Sequence, residues 1–177
     1  HTRFRGVTGV QTCALPISGD IDPAVVFHLQ RVAGMTVDEV DTLFNKKSGM
    51  KGMTGESDMR SVWEVINNAS DPEASQRART AMDVYINRLL KYVGSYTAEL
   101  GGLDVITFTA GIGENDAAVR RELAEALAPF GVKIDVEANK VRSGEPRVIS
   151  APDSTVKIYV FPTNEELAIA RQALTFA

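Results

Sequence analysis

Cysteine and histidine are nearly missing from this 177-residue chain, which has only Cys13, His1 and His28. A single cysteine excludes a disulfide framework and any cysteine zinc site. Two histidines cannot make a histidine metal site unaided. No apolar run approaches the roughly 18 residues that a membrane-spanning helix needs. Basic runs are also missing: 19 Lys and Arg stand against 23 Asp and Glu, a net charge of −4, and no stretch could track a nucleic-acid backbone. There is no Ser/His/Asp arrangement, no Walker-type Gly-Lys-Ser/Thr and no metalloprotease motif. The remainder, 44% hydrophobic and 24% charged with 14 glycines and 7 prolines, is an ordinary globular composition that excludes disorder, collagen repeats and coiled coil. The expectation is one domain, or one lobe of a larger protein, of cytoplasmic type and able to hold an anion through backbone groups.

Residues 1–17 read differently from everything after them. They hold two arginines, no acid and the sole cysteine. They lack the apolar core and small-residue cleavage site of a signal peptide. The string RGVTGVQTCALPIS at 5–18 resembles translated read-through of a sequencing adapter. Residues 1–17 are therefore expected to be a non-native leader, and 18–177 the lobe itself.

From Ser18 onward helix signals come first, then strands and helices in alternation. Asp22 with Pro23 predicts a helix to about Val32 that Gly34 closes. Thr36 and Glu39 form a capping box ahead of Val37, Val40, Leu43 and Phe44 at helical spacing. Residues 49–60 (GMKGMTGESDMR) read as a glycine-rich loop leading into a helix with Val62, Trp63, Val65 and Ile66. Asp71-Pro72-Glu73 opens the longest helix, with Ala78, Met82, Tyr85, Leu89, Val93 and Tyr96 on one face and Gly101-Gly102 as its stop. Residues 103–109 (LDVITFT) suit a strand covered on both faces. A helix is expected over 116–128, then short strands near 132–134 and 147–150 and a clearer one at 156–161. Thr163 with Glu166 is a second capping box, opening a final helix. The order suggests a mixed or parallel sheet with covering helices.

Two strand-to-helix junctions could carry chemistry. At Thr109–Asn115 two glycines let the backbone pass close to a ligand, and helix-start N–H groups favour phosphate or another polar edge. The second junction is Pro162–Glu166. If the two strands are parallel in one sheet, both junctions lie at its carboxyl edge, where α/β proteins bind ligands, and Glu165 lies near whatever the glycine segment holds. Each feature has a plainer alternative. The glycines could serve tight packing. A dinucleotide fingerprint wants glycine where this chain has Asp116, although Asp135 could mimic its ribose acid. Glu166 suits the capping role, which leaves Glu165 freer to reach a metal. Arg60 reads as a solvated helix-start residue, His28 as a packed histidine and Trp63 as core.

Taken together, Ser18-Gly19-Asp20-Ile21-Asp22-Pro23, Asn45-Lys46-Lys47-Ser48-Gly49, Ser57-Asp58-Met59-Arg60, FTAGIGEN at 108–115 and PTNEE at 162–166 resemble the acetate kinase family in order and spacing. That resemblance implies the ribonuclease-H-like, actin-like ATPase α/β fold of the acetate/sugar kinase, Hsp70 and actin group, here its C-terminal lobe with additional helices. It implies transfer of the γ-phosphoryl group of ATP to acetate, giving acetyl phosphate and ADP, within organic-acid and acetyl-CoA metabolism in the cytoplasm. It assigns Asp58, Met59, Arg60, Gly111, Ile112, Gly113, Glu114 and Asn115 to the adenosine part of the nucleotide, and Glu165 to placing Mg²⁺. Propionate kinases share the pattern.

Family members are more than twice this length and dimerise through this lobe. Their motif reads Thr-Arg before Ser-Gly-Asp-Ile-Asp-Pro, where this chain has Ile17. No catalytic residue is therefore nominated, and the chain is expected to be inactive alone. The alternatives are a propionate kinase fragment or a non-catalytic nucleotide-binding or dimerisation module; Asp116 disfavours a dinucleotide oxidoreductase. In the family the last helix packs on the N-terminal lobe, so Leu167, Ile169, Ala170, Leu174 and Phe176 are expected to lose part of their cover.

Overall fold

The computed structural model describes residues 21–67 and 71–176. Residues 1–17, expected to be a leader, lie outside them. The chain divides into two compact units, His1–Ala81 and Met82–Ala177, with the boundary inside one long helix. Among the described residues no helix is long and apolar enough to cross a membrane.

The first unit is helical. Helix α1 (Ala24–Arg31) starts where Asp22 Oδ1 accepts from the Ala24 N–H at 2.9 Å, and Gly34 follows at φ 67°. Helix α2 (Val37–Lys46) carries the expected box: Thr36 Oγ1 accepts from the Glu39 N–H, and the Thr36 N–H donates to Glu39 Oε2 at 2.7 Å. Val40 of α2 is buried. His28 is exposed, contrary to the packed position expected for it, because it lies away from the half-buried positions Val26, Leu29 and Gln30.

The glycine-rich stretch is not a loop throughout. Gly49–Thr54 forms a six-residue helix, α3, with glycines as its punctuation: Gly49 at φ 63° precedes the turn and Gly55 at φ 82° ends it. Gly52 sits inside the helix because a Cβ there would stand 2.8 Å from the Lys47 carbonyl oxygen. Helix α4 (Met59–Asn67) buries Val62 and half-buries Trp63, over whose ring the Arg79 guanidinium stands at 5.6 Å. Helix α5 (Pro72–Leu100) begins as expected and stops at Gly101, φ 77°. Ala78, Ala81, Met82 and Ile86 form its buried stripe.

The second unit holds a three-stranded sheet of order β1-β3-β2: β1 (Val105–Phe108), β2 (Arg147–Val148) and β3 (Lys157–Val160). β1 and β3 run parallel with Val105 beside Lys157 and Phe108 beside Val160, while β2 is antiparallel to β3. The crossover a parallel pair requires carries α6 (Ala110–Asn115), α7 (Ala117–Ala126), a 3₁₀ turn (Ala128–Phe130) and α8 (Val136–Lys140). Helix α9 (Glu165–Ala173) and a second 3₁₀ turn (Leu174–Phe176) complete the chain.

Ile158 and Val160 are fully buried, with half-buried Ile106 and Phe108 beside them on the same face. Val119, Leu123 and Leu127 add to this core. The opposite face bears Val105, Thr107 and Lys157, all exposed, so β1 is covered on one face and not on both as its apolar run suggested. The expected helix over 116–128 divides into α7, capped by Asp116, and the 3₁₀ turn that carries Pro129. Near 132–134 the expected strand is a single bridge, Ile134 to Ser150. α8 was unforeseen; Asp135 caps it by accepting from the Glu137 and Ala138 N–H groups, which leaves that carboxylate engaged rather than available to a ribose.

Candidate functional site

Because β1 and β3 are parallel, the chain leaves both strands at the same edge of the sheet and enters a helix each time. At the first exit Ala110 takes φ 59°, the left-handed region that a residue with a Cβ rarely occupies. The segment 110–115 is one short helix, where the sequence reading had a turn. Asn115 folds back, its Nδ2 donating to the Gly111 carbonyl at 2.9 Å. The two glycines differ in their surroundings. A Cβ on Gly113 would lie 3.3 Å from the Phe108 carbonyl carbon, so this glycine permits close packing of helix on strand. A Cβ on Gly111 would meet nothing within 4 Å. Gly111, beside exposed Ile112, is thus the position where a ligand could approach the backbone.

The second exit meets the first. Glu114 Oε1 accepts from the Thr163 N–H and from the Thr163 hydroxyl, each at 2.9 Å. These bonds hold the Glu114 carboxyl below its ordinary range, the backbone bond being the larger cause and the nearby Arg147 charge a lesser one. Thr163 is not the cap of α9. Asn164 is, accepting from the Leu167 N–H at 2.8 Å. The expected Thr163–Glu166 box does not open the helix: α9 is capped one residue later, by Asn164, while the Thr163 N–H and hydroxyl bond across the sheet edge. Glu165 opens α9, and its side chain lies outside the described residues, as does that of Glu166.

Behind α6 stands a network with no local sequence signal. Arg120, 2% exposed, donates through Nη1 to the carbonyls of Gly113 (2.8 Å) and Glu114 (2.9 Å), and through Nε and Nη2 to Asn139 Oδ1 and O, both at 2.7 Å. Asp116 caps α7 through the Ala118 and Val119 N–H groups, so a helix start that a pyrophosphate would need already has an acid on it.

In the first unit Asp58 and Arg60 form their own pair. Arg60 Nη2 lies 2.5 Å from Asp58 Oδ2, and the Arg60 N–H donates to Asp58 Oδ1 at 2.8 Å. The side-chain bond to Arg60 is the main reason the Asp58 carboxyl is lowered to about 2. The Arg60 side chain is 87% exposed, as a solvated helix-start residue should be, and it remains open to a ligand. Asn45, Lys46 and Ser48 line an open depression of about 450 Å³ with Met50, Lys51 and Ser57.

For a magnesium ion the donor chemistry is narrow. Among the described residues no group of three or more His, Cys, Asp or Glu side chains could hold a metal. The remaining mode is one carboxylate with phosphate oxygens and water, which Mg²⁺ accepts.

The acetokinase family model matches residues 6–171, starting inside the segment expected to be foreign. An acetate kinase from Corynebacterium aurimucosum is 51% identical over 160 residues, covering 90% of this chain and 38% of that protein. The solved acetate kinase of Porphyromonas gingivalis superposes with a TM-score of 0.77 at 39% identity, over 89% of this chain and 38% of that one. A propionate kinase from Francisella tularensis does so with a TM-score of 0.73 at 35% identity, over 85% and 37%. The fold is that of these kinases, the actin-like α/β class implied by the sequence resemblance. The chain spans about 38% of the length of the curated relative.

Proposed function

Since this chain belongs to the acetokinase family, we propose that it carries the adenosine-binding lobe of a kinase that moves the γ-phosphoryl group of ATP onto acetate. The observation behind this reading is the joining of the two strand exits at one sheet edge by Glu114 and Thr163. Ligands of α/β proteins bind at such edges. Gly111 leaves room for close approach, Ile112 offers an apolar side chain beside it, and the amides that open α6 offer donors to polar atoms. Within the first unit, Asp58, Met59 and Arg60 are by themselves a proposed nucleotide contact, the Arg60 guanidinium being exposed and paired with Asp58.

Phosphoryl transfer depends on positioning and charge neutralisation more than on covalent participation by the protein. Mg²⁺, held through Glu165, would draw the phosphate charges together and ease transfer. The residues of this chain orient the adenosine and keep the nucleotide at the sheet edge. None is assigned to the phosphoryl group in flight. Loss of even one partner to a transition-state charge commonly slows a reaction about 10²–10³-fold. A hydroxamate assay on this chain with acetate and ATP should give background signal, and turnover at rates ordinary for kinases would refute the division of labour.

A propionate-directed enzyme is the second reading, since the Francisella propionate kinase also matches, at 35% identity. Pairing with a second copy is supported by the outward side chains of Val84, Tyr92, Tyr96 and Leu100 on α5, and a cytoplasmic setting fits the substrates.

A further inference from the structure

We propose that Arg120 is a positioning residue for the nucleotide segment: its buried guanidinium caps the C-terminal end of α6 and fixes residues 110–115 against α8. The inference rests on the reading of that segment as nucleotide-binding.

A six-residue helix leaves its last carbonyls without partners inside the helix. At α6 each of the three carbonyls preceding Asn115 is met from outside. The Asp116 N–H donates to the Ile112 carbonyl at 2.9 Å, and Arg120 Nη1 takes those of Gly113 and Glu114. A cation at that end also suits the helix dipole. The rest of the fork binds both oxygens of Asn139, and Asn139 Nδ2 donates to the Ala117 carbonyl at 2.8 Å. The guanidinium thus ties the end of α6, the start of α7 and the body of α8 into one closed set of bonds.

All four acceptors of Arg120 are neutral amide oxygens. Burying a charge on neutral partners is expensive, and an apolar side chain would fill the same volume more cheaply. What the guanidinium adds is geometry: a rigid planar fork with donors in fixed directions. With the Gly113 and Glu114 carbonyls held, the Glu114 carboxylate is aimed at Thr163, and the Gly111 backbone is set at the edge where adenosine would lie.

The test compares Arg120→Lys and Asn139→Ala with the parent chain by amide hydrogen exchange and by titration with adenosine. Arg120→Lys keeps the charge and loses the fork. Exchange at 114–116 should rise about tenfold, the effect of losing one hydrogen bond to a charged group. Exchange in β3 should stay unchanged and adenosine affinity should fall several-fold. Asn139→Ala should reproduce the selective rise at smaller size, and it carries the test if Arg120→Lys does not fold. Exchange that rises uniformly across the second unit, or not at all at 114–116, would overturn the proposal. Failure of the parent chain to bind adenosine would overturn the nucleotide reading alone, while the exchange comparison still decides the role of Arg120.

Discussion

Thr163 donates its backbone N–H and its hydroxyl to one oxygen of Glu114 across 49 positions of sequence. A two-bond clasp on a single carboxylate oxygen ties the exit of β3 to the helix that follows β1. It also explains why the Glu114 carboxyl is lowered.

The clasp predicts a pH dependence. A carboxyl whose folded pKa lies below its ordinary value of 4.5 contributes stability above that value and loses it as the pH falls through the folded pKa. Glu114→Gln should therefore lower the urea midpoint at pH 7, and the gap from the parent should close on acidification below about 4. A gap that stayed constant with pH would argue against the clasp.

Gly111 and Gly113 should separate under substitution. Gly113→Val places side-chain atoms against the Phe108 backbone and should cost about 1–3 kcal/mol in denaturant unfolding. Gly111→Ala meets open space and improves helix propensity, so stability should hold or rise by up to about 1 kcal/mol while adenosine binding weakens. Equal stability losses at both positions would contradict the assignment.

Arg60→Ala should weaken adenosine binding and lower the thermal midpoint only slightly at neutral pH, because exposed ion pairs contribute little to folding. The same variant should raise the Asp58 carboxyl from about 2 toward 3.8, part of the lowering persisting because the N–H of residue 60 still donates to it, readable by NMR titration. In the parent chain the stability contributed by Asp58 is present above about 3.8 and lost as the pH falls through about 2. An Asp58 titration that did not move would disprove the pairing.

The last helix should be insensitive on its outer face. Ile169 is 68% exposed and Leu174 is 75% exposed, so Ile169→Ser and Leu174→Ser should each shift unfolding by less than about 0.5 kcal/mol. Ile158→Ala, at a fully buried position of β3, should cost about 2–5 kcal/mol. Amides beyond 168 should exchange fast while β1 stays protected. Comparable losses at Ile169 and Ile158 would mean that α9 is packed after all.

What could be read in advance was local. The Thr36–Glu39 box, the Asp22 cap and the stops at Gly34 and Gly101 are encoded within a few residues, and each formed where the sequence put it. Two apolar runs each leading into a helix left the parallel pairing of β1 with β3, on which the site depends, as a condition that the folded chain meets. Three glycines within 49–55 hid α3, since two are punctuation and the third answers a backbone contact. Nothing near Thr163 in the sequence shows that its N–H and hydroxyl bind Glu114, 49 positions away. Arg120 and Asn139, 19 residues apart, gave no periodic or spacing signal; only the folded chain brings them together.

Calorimetric titration of this chain with adenosine, and with ATP in the presence of Mg²⁺, tests the central claim most directly. The account predicts that both bind weakly and nearly alike, with Kd about 1 mM, about −4 kcal/mol, because most of the proposed contacts address the adenosine, and the one that reaches the phosphates, Glu165 through Mg²⁺, is a single carboxylate. No heat from adenosine at several times that concentration, or ATP binding orders of magnitude tighter and dependent on Mg²⁺, would contradict it.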